Sequence, residues 1–285
     1  MAATTAPQDE ARAALDASGQ LPDDELDIAA IALQFARIDA PEADWRATAA
    51  QLSGIARRAV DLAAADQAAD RGDPERRRLV LARLLHEECG LLGDSETYDD
   101  MANANLIRVL ERRRGLPVAM GVLWLHAAEA AGWGAHGVNA PGHFLLALEH
   151  AQGQLILDVF DGGTHLQMRD LRRLLKLREG DHAEPRPAAL APMTKRDVLL
   201  RLQNNIKLRR LQAQEFEGAL ACTRDMLRLA PRHAGLWREA GLIEHRLERI
   251  GAALQSFDKA LEIEPRGEEA ARIRALADKL RNRLN

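Results

Sequence analysis

Residues 112–163 read RRRGLPVAMGVLWLHAAEAAGWGAHGVNAPGHFLLALEHAQGQLILDVFDGG, and the fold is decided by how they are parsed. Pro117 suits the first turn of a helix, where its missing N–H would have no partner in any case. Val118, Met120, Val122, Leu123, Trp124 and Leu125 then surround that helix, which predicts burial on most sides. Residues 136–139, 144–148 and 154–157 read as three short strands, the last two joined by a polar turn at 150–153. His143 stands at the start of one strand and Asp158 ends the next, so antiparallel pairing is expected to bring them together. A helix, a strand with His and a strand with Asp form the frame of a thiol triad. In such a triad helix N–H groups and the imidazole activate a cysteine at the helix start, and the carboxylate orients the imidazole. Residues 115–120 are Gly, Leu, Pro, Val, Ala and Met, without Cys, Ser or Thr. The frame is present and its nucleophile is not.

Toward the N-terminus, residues 1–22 are small, polar and Pro-containing, and are expected to be a flexible tail. Asp23 or Asp24 is the expected cap of a helix with Leu26, Ile28, Ala29, Ile31, Ala32, Phe35 and Ile38 inward. A second helix is expected over about 42–62. A third should run from the Gly72-Asp73-Pro74 break toward Cys89-Gly90. The second part of 98–114 reads as a helix ended by Gly115, with Arg112, Arg113 and Arg114 near its negative pole. With strands confined to 136–157, the fold class is α+β and mostly helical, with one small antiparallel sheet.

Toward the C-terminus, residues 181–193 form a Pro-rich linker. Beyond it LACTRDMLRLAP and LQSFDKALEIEP align, and their prolines, Pro231 and Pro265, are 34 apart (265 − 231). That is the tetratricopeptide period, with Trp237 and Gly241 where its Trp and Gly belong. A helix from Asp197 to about Ala213 supplies the first half of the earlier repeat, and 266–284 a terminal capping helix. The expected domains are 23–180 and 194–285.

The composition narrows the function classes. A net charge of −4 with both signs interspersed argues against a general nucleic-acid or membrane surface. No run of about 18 apolar residues is present, so no membrane span is expected. The acidic N-terminal residues lack the basic start of a signal peptide. Cys89 and Cys222 are far apart and form no CxxC, which fits a reducing cytoplasm without disulfide or zinc.

VLERRRGLP, PGHF and LDVFDGG, in this order and with the repeats behind them, resemble the SirB-type family over about residues 25–270. The resemblance implies a transglutaminase-like domain followed by tetratricopeptide repeats, in bacterial proteins linked by name to regulation of invasion genes. It implies no particular reaction. Members tend to read Asn-Ser-x-Leu where this chain has Asn103-Ala104-Asn105-Leu106, and Gly-Ile-Pro-Ile-Ser/Thr where it has Gly115-Leu116-Pro117-Val118-Ala119. Both hydroxyls are thus alanine here, and Ala119 or a neighbour at the helix start would occupy the enzyme cysteine's place.

His143 and Asp158 are therefore expected as a remnant catalytic dyad. Asn103, Gly115, Pro117, Ala119 and Gly142 are expected to line any binding cleft. Cys89 follows His86, Glu87 and Glu88, whose carboxylates would raise its pKa and make it a poor substitute nucleophile. His126, His143 and His165 match no zinc spacing. Neither a metal nor a cofactor is expected. The expected function is a non-catalytic regulatory or protein-binding one, with a protein or peptide partner held by the repeats. The competing reading is a weak hydrolase or amide-transferring enzyme that uses His143 as base on water or an amine.

Overall fold

The computed structural model describes residues 6–140, 143–179 and 191–284. They divide into two compact units: Pro22–Leu202 with the chain up to Ala11, and Gln203–Asn285 with Arg12–Leu21. The expected boundary at 181–193 thus falls earlier than the observed division, which lies inside a helix.

The N-terminal stretch corrects one expectation. Instead of a flexible tail it forms a helix, α1 (Ala6–Ser18), in which Ala11 and Leu15 are fully buried. The polar residues that suggested a tail are used in contacts: Gln8 donates to the Ile38 carbonyl at 2.9 Å, and Glu10 pairs with Arg37 at 3.1 Å.

In the first unit aspartate carboxylates start one helix after another. Asp27 caps α2 (Ile28–Asp39), Asp44 caps α3 (Trp45–Ala65), Asp66 caps α4 (Gln67–Asp70) and Asp73 caps α5 (Pro74–Ala82). Each accepts from a backbone N–H that the helix itself leaves without a partner. Neither Asp23 nor Asp24 is the cap of α2. Asp23 lies in a short 3₁₀ turn, and its carboxylate accepts from the backbone N–H groups of Lys195 (2.8 Å) and Arg196 (2.9 Å). After α5 the chain widens into a π-helical turn, Arg83–Glu88, before Cys89. Asn105 caps α6 (Leu106–Arg112). Arg113, in the left-handed region at φ 56°, ends that helix two residues before the expected stop at Gly115.

Two short strands, β1 (Leu92–Gly93) and β2 (Arg114–Gly115), pair in parallel just before α7 (Pro117–Ala130). The main sheet comprises β3 (Ala135–Ala140), β4 (His143–His150), β5 (Gly153–Asp158), β6 (Thr164–His165) and β7 (Pro192–Met193). Its order is β6-β5-β4-β3-β7, antiparallel throughout. Three strands were expected; β6 and β7 are too short for a period of two to register. Pro192 and Met193 leave the expected linker and become an edge strand, where proline's lack of an N–H is tolerated. The rest of that linker, residues 181–190, lies outside the described residues.

The sheet has two distinct faces. Val138, Ala140, Leu145, Ala147 and Ile156 form one core cluster with Leu171 of α8 (Met168–Glu179). On the other face Phe144 meets α7 at Gly121, where a Cβ would overlap the phenyl ring. Glycine thus allows the helix backbone to lie directly on the strand.

The second unit continues α9 (Lys195–Gln212) into α10 (Phe216–Leu229), α11 (Ala234–Arg246), α12 (Ile250–Ile263) and α13 (Glu268–Leu284). Trp237 Nε1 donates to the Pro231 carbonyl at 2.8 Å, which ties the motif tryptophan to the motif proline. Phe257, Ala253, Ile273, Ala277 and Leu280 form the terminal core.

Candidate functional site

His143 Nε2 lies 3.0 Å from Asp158 Oδ2. Strand register produces this contact. Leu146 pairs with Leu157, so Asp158 falls opposite Leu145 and lies diagonally across from His143, on the same face. A slip of one residue would separate the two side chains to opposite faces. The other carboxylate oxygen of Asp158 accepts from the Phe160 N–H at 3.0 Å, which fixes its rotamer. The Phe160 ring stands edge-on to the imidazole with centroids 6.5 Å apart, and Tyr98 meets that ring in turn at 6.1 Å. The two side chains keep only 13% and 15% of their surface exposed. The pair is oriented and nearly dry.

Of the remaining expected site residues, Asn103, Gly115, Pro117 and Ala119 are buried. Ala119 is wholly buried in the first turn of α7, and Pro117 is buried at its start. Strand alternation places His143 and Asp158 on the face of Leu145 and Ile156, opposite the face through which Phe144 meets α7. Gly115 is buried in β2, and a Cβ there would stand 2.9 Å from Met120 and Val109. Asn103 is fully buried and donates to the Thr97 carbonyl at 2.6 Å. Gly142 lies outside the described residues. His126 lies 3.0 Å from the Leu52 carbonyl and His165 2.6 Å from Glu75, so each has a partner of its own. Among the described residues no three His, Cys, Asp or Glu side chains gather as a metal set. Burial, and then the Glu88 carboxylate, raise the Cys89 thiol above its usual value.

One residue that sequence reading passed over organises the loop ahead of α6. Asp94 is buried and accepts from the Thr97 hydroxyl (2.6 Å), the Thr97 N–H (2.9 Å), the Glu96 N–H (3.1 Å) and Arg112 (3.1 Å). The Thr97 hydroxyl foremost, then the Thr97 N–H, with Asn103 and the Glu96 N–H adding to them against the cost of burial, hold its carboxyl down at about 2. Arg112, expected from sequence near the negative pole of α6, is thereby committed to Asp94 and Asp100.

The second unit contains a cleft of about 420 Å³ lined by α9, the start of α10 and α11. Leu208 and Leu242, in its wall, are 46% and 44% exposed. They are 34 residues apart (242 − 208), one repeat period, so they are equivalent positions of successive repeats. The spacing that located the repeats would have located this pair too. Lys207, only 2% exposed, has its ammonium on Glu239, whereas Arg246 lies over the Phe216 ring at 5.5 Å.

Comparison with known proteins agrees with this architecture. The transglutaminase-like superfamily matches residues 46–204 and a tetratricopeptide repeat family matches residues 206–278. A UPF0162 protein of Xylella fastidiosa is 31% identical over 187 residues, which span 64% of this chain and 66% of that protein. One of Vibrio cholerae is 28% identical over 67% of this chain and 70% of its own length. Human F-box only protein 21 is 33% identical over 78 residues, 27% of this chain and 12% of that protein.

Proposed function

The chain belongs to the transglutaminase-like superfamily and carries tetratricopeptide repeats behind that domain; on this premise we propose that it works by binding a protein segment, not by turning over a substrate. The observation that carries the reading is the cleft with two equivalent, half-exposed leucines one repeat apart. A segment with apolar side chains at a matching spacing would cover both. Its acidic residues would meet the excess cation of the cleft: Lys207 and Arg246 against Glu239, a net of +1. The role is regulatory and protein-directed, with nucleic acid and membrane disfavoured by the net charge of −4. Among the described residues neither Cys89 nor Cys222 forms a disulfide, which suits a reducing cytoplasm. No helix among the described residues is long and apolar enough to cross a membrane.

Peptide display against the full chain tests this. Enriched segments should combine leucine-like side chains with Asp or Glu. Leu242→Glu should weaken them by about thirtyfold, the effect of losing a hot spot of about 2 kcal/mol. Because Leu242 is half-exposed, the melting temperature should hold. Segments that bind the variant as well as the parent would remove the cleft from the proposal.

The 3.0 Å contact between His143 and Asp158 favours one second reading, a feeble hydrolase or amide-transferring enzyme in which His143 takes a proton from water or an amine. A positioned base alone contributes about 10²–10⁴-fold. Turnover of amides that disappears with His143→Ala would establish it. Absence of turnover in the parent would leave the binding role.

A further inference from the structure

A second cavity, of about 360 Å³, lies entirely within the first unit, away from the His143–Asp158 pair in sequence and in lining. Its walls are Gly54, Ile55 and Arg58 of α3, Leu84 and Glu88 of the π-helical turn, Cys89, Leu91, and the end of α6 at Leu110 and Arg113. Three locally unfavourable choices meet here. Gly54 interrupts the middle of a 21-residue helix, where glycine costs about 0.5–1 kcal/mol relative to alanine. Nothing lies within 4 Å of where its Cβ would be, so no packing neighbour requires the glycine. The opposite wall is a π turn, a rare geometry that occurs frequently at functional sites. The third is Arg113, a side-chain-bearing residue held at φ 56°.

The charges in the cavity are unequal. Glu88 is already taken: Arg58 grips it with two hydrogen bonds, 2.8 and 2.9 Å, and Arg83 adds a third at 3.1 Å. Among the described residues no hydrogen bond or ion pair engages the Arg113 guanidinium. It therefore offers a free planar fork, the geometry that grips a carboxylate bidentately, beside the apolar walls of Ile55, Leu84, Leu91 and Leu110.

We propose that this cavity binds a small organic monocarboxylate, its head on Arg113 and its apolar body along Ile55, Leu84, Leu91 and Leu110. Gly54 then keeps the space open for the ligand, and the left-handed turn at Arg113 aims the cation into it. The site is independent of the repeat cleft and of any chemistry at His143.

Cys89 reports occupancy from within the cavity wall, because the other thiol, Cys222, is buried. The probe is octanoate, added to the full chain while a disulfide reagent modifies Cys89. At about ten times its dissociation constant, octanoate should slow that modification about tenfold, by simple occupancy of the unmodified form. Arg113→Gln should abolish the protection. Arg113→Gly should abolish it while raising the melting temperature, since glycine takes the left-handed conformation freely. Gly54→Leu should slow the reagent permanently and make octanoate ineffective, again without loss of stability. Octanol that protects as well as octanoate overturns the proposal, and so does protection that survives in Arg113→Gln. If octanoate gives no protection up to its solubility limit, no carboxylate site exists here. The parent comparison of octanoate with octanol decides the matter even if a variant does not fold.

Discussion

Two buried aspartates, one in each unit, ionise in opposite senses. Asp94, in the loop before α6, sits among a hydroxyl, two backbone N–H groups and Arg112, and its carboxyl is held down at about 2. Asp225, on α10, is met by Arg12 at 3.0 Å and Arg228 at 3.3 Å, yet burial outweighs both and raises its carboxyl above the usual 3.8. The difference is one of donors. Short, fixed dipoles close around Asp94, whereas Asp225 has two long side chains that compensate incompletely for lost water. Burial alone does not set the charge of a carboxyl group. Both units bury polar groups, Asn103 and Asp94 in the first and Asp225 and Glu244 in the second, so it is the donors around each group that differ, not the burial.

The largest expected effect comes from deepening the deficit at Asp225. Arg12→Ala removes its nearer partner and should cost about 3 kcal/mol in denaturant unfolding, the lower end for a broken buried pair because Arg228 remains. A cost under about 1 kcal/mol would mean that Asp225 is already protonated and neutral.

Next is the close approach of α7 to the sheet. Gly121→Ala should cost about 1–3 kcal/mol, because the added methyl overlaps Phe144 and the helix must lift from β4. The same substitution at Gly54 should act with the opposite sign, as described below.

Asp94→Asn should cost about 1–3 kcal/mol at neutral pH through lost charge-assisted bonds. The sign with pH follows from a folded value below the unfolded one. The stabilisation is complete above about pH 4, the unfolded value, and is lost as pH falls toward about 2, so parent and variant should converge in strong acid. Carboxyl carbon NMR separates the two aspartates directly. At pH 3 Asp94 should still be ionised and Asp225 protonated; a reversed order would overturn the comparison.

The smallest effect is a gain. Gly54→Ala should stabilise the fold by about 0.5–1 kcal/mol, since a methyl there meets open space and restores helix propensity. A loss at this position would show that α3 needs its glycine for packing.

Much of the framework was legible beforehand. Pro117 and the apolar run behind it marked α7, and the alternation through 144–157 marked β4 and β5, because one buried face per strand imposes period two. Pro231 and Pro265 marked the repeats. The errors lay where signals are short or shared. Residues 6–18 have the composition of a tail, but Leu15 and Ala11 find a core that only the folded chain supplies. Asp23, Asp24 and Asp27 are equally good caps in sequence, and the choice fell to Asp27 because Lys195 and Arg196 draw Asp23 away across long sequence separation. The equivalence of Leu208 and Leu242 was within reach of the repeat arithmetic. Their exposure was not, since an apolar helix position is ordinarily read as core.

Local chemistry decided what the sequence alone could decide: period, caps, breaks, and the absence of a thiol at the start of α7. Each is a property of neighbours a few residues apart, which backbone geometry makes independent of the rest of the chain. Tertiary structure decided the pairing of His143 with Asp158, the commitment of Arg112 and Asp94 to one loop, and the freedom of Arg113 beside an open cavity. Those outcomes depend on which distant donors arrive first at each charge, and no local pattern records that competition.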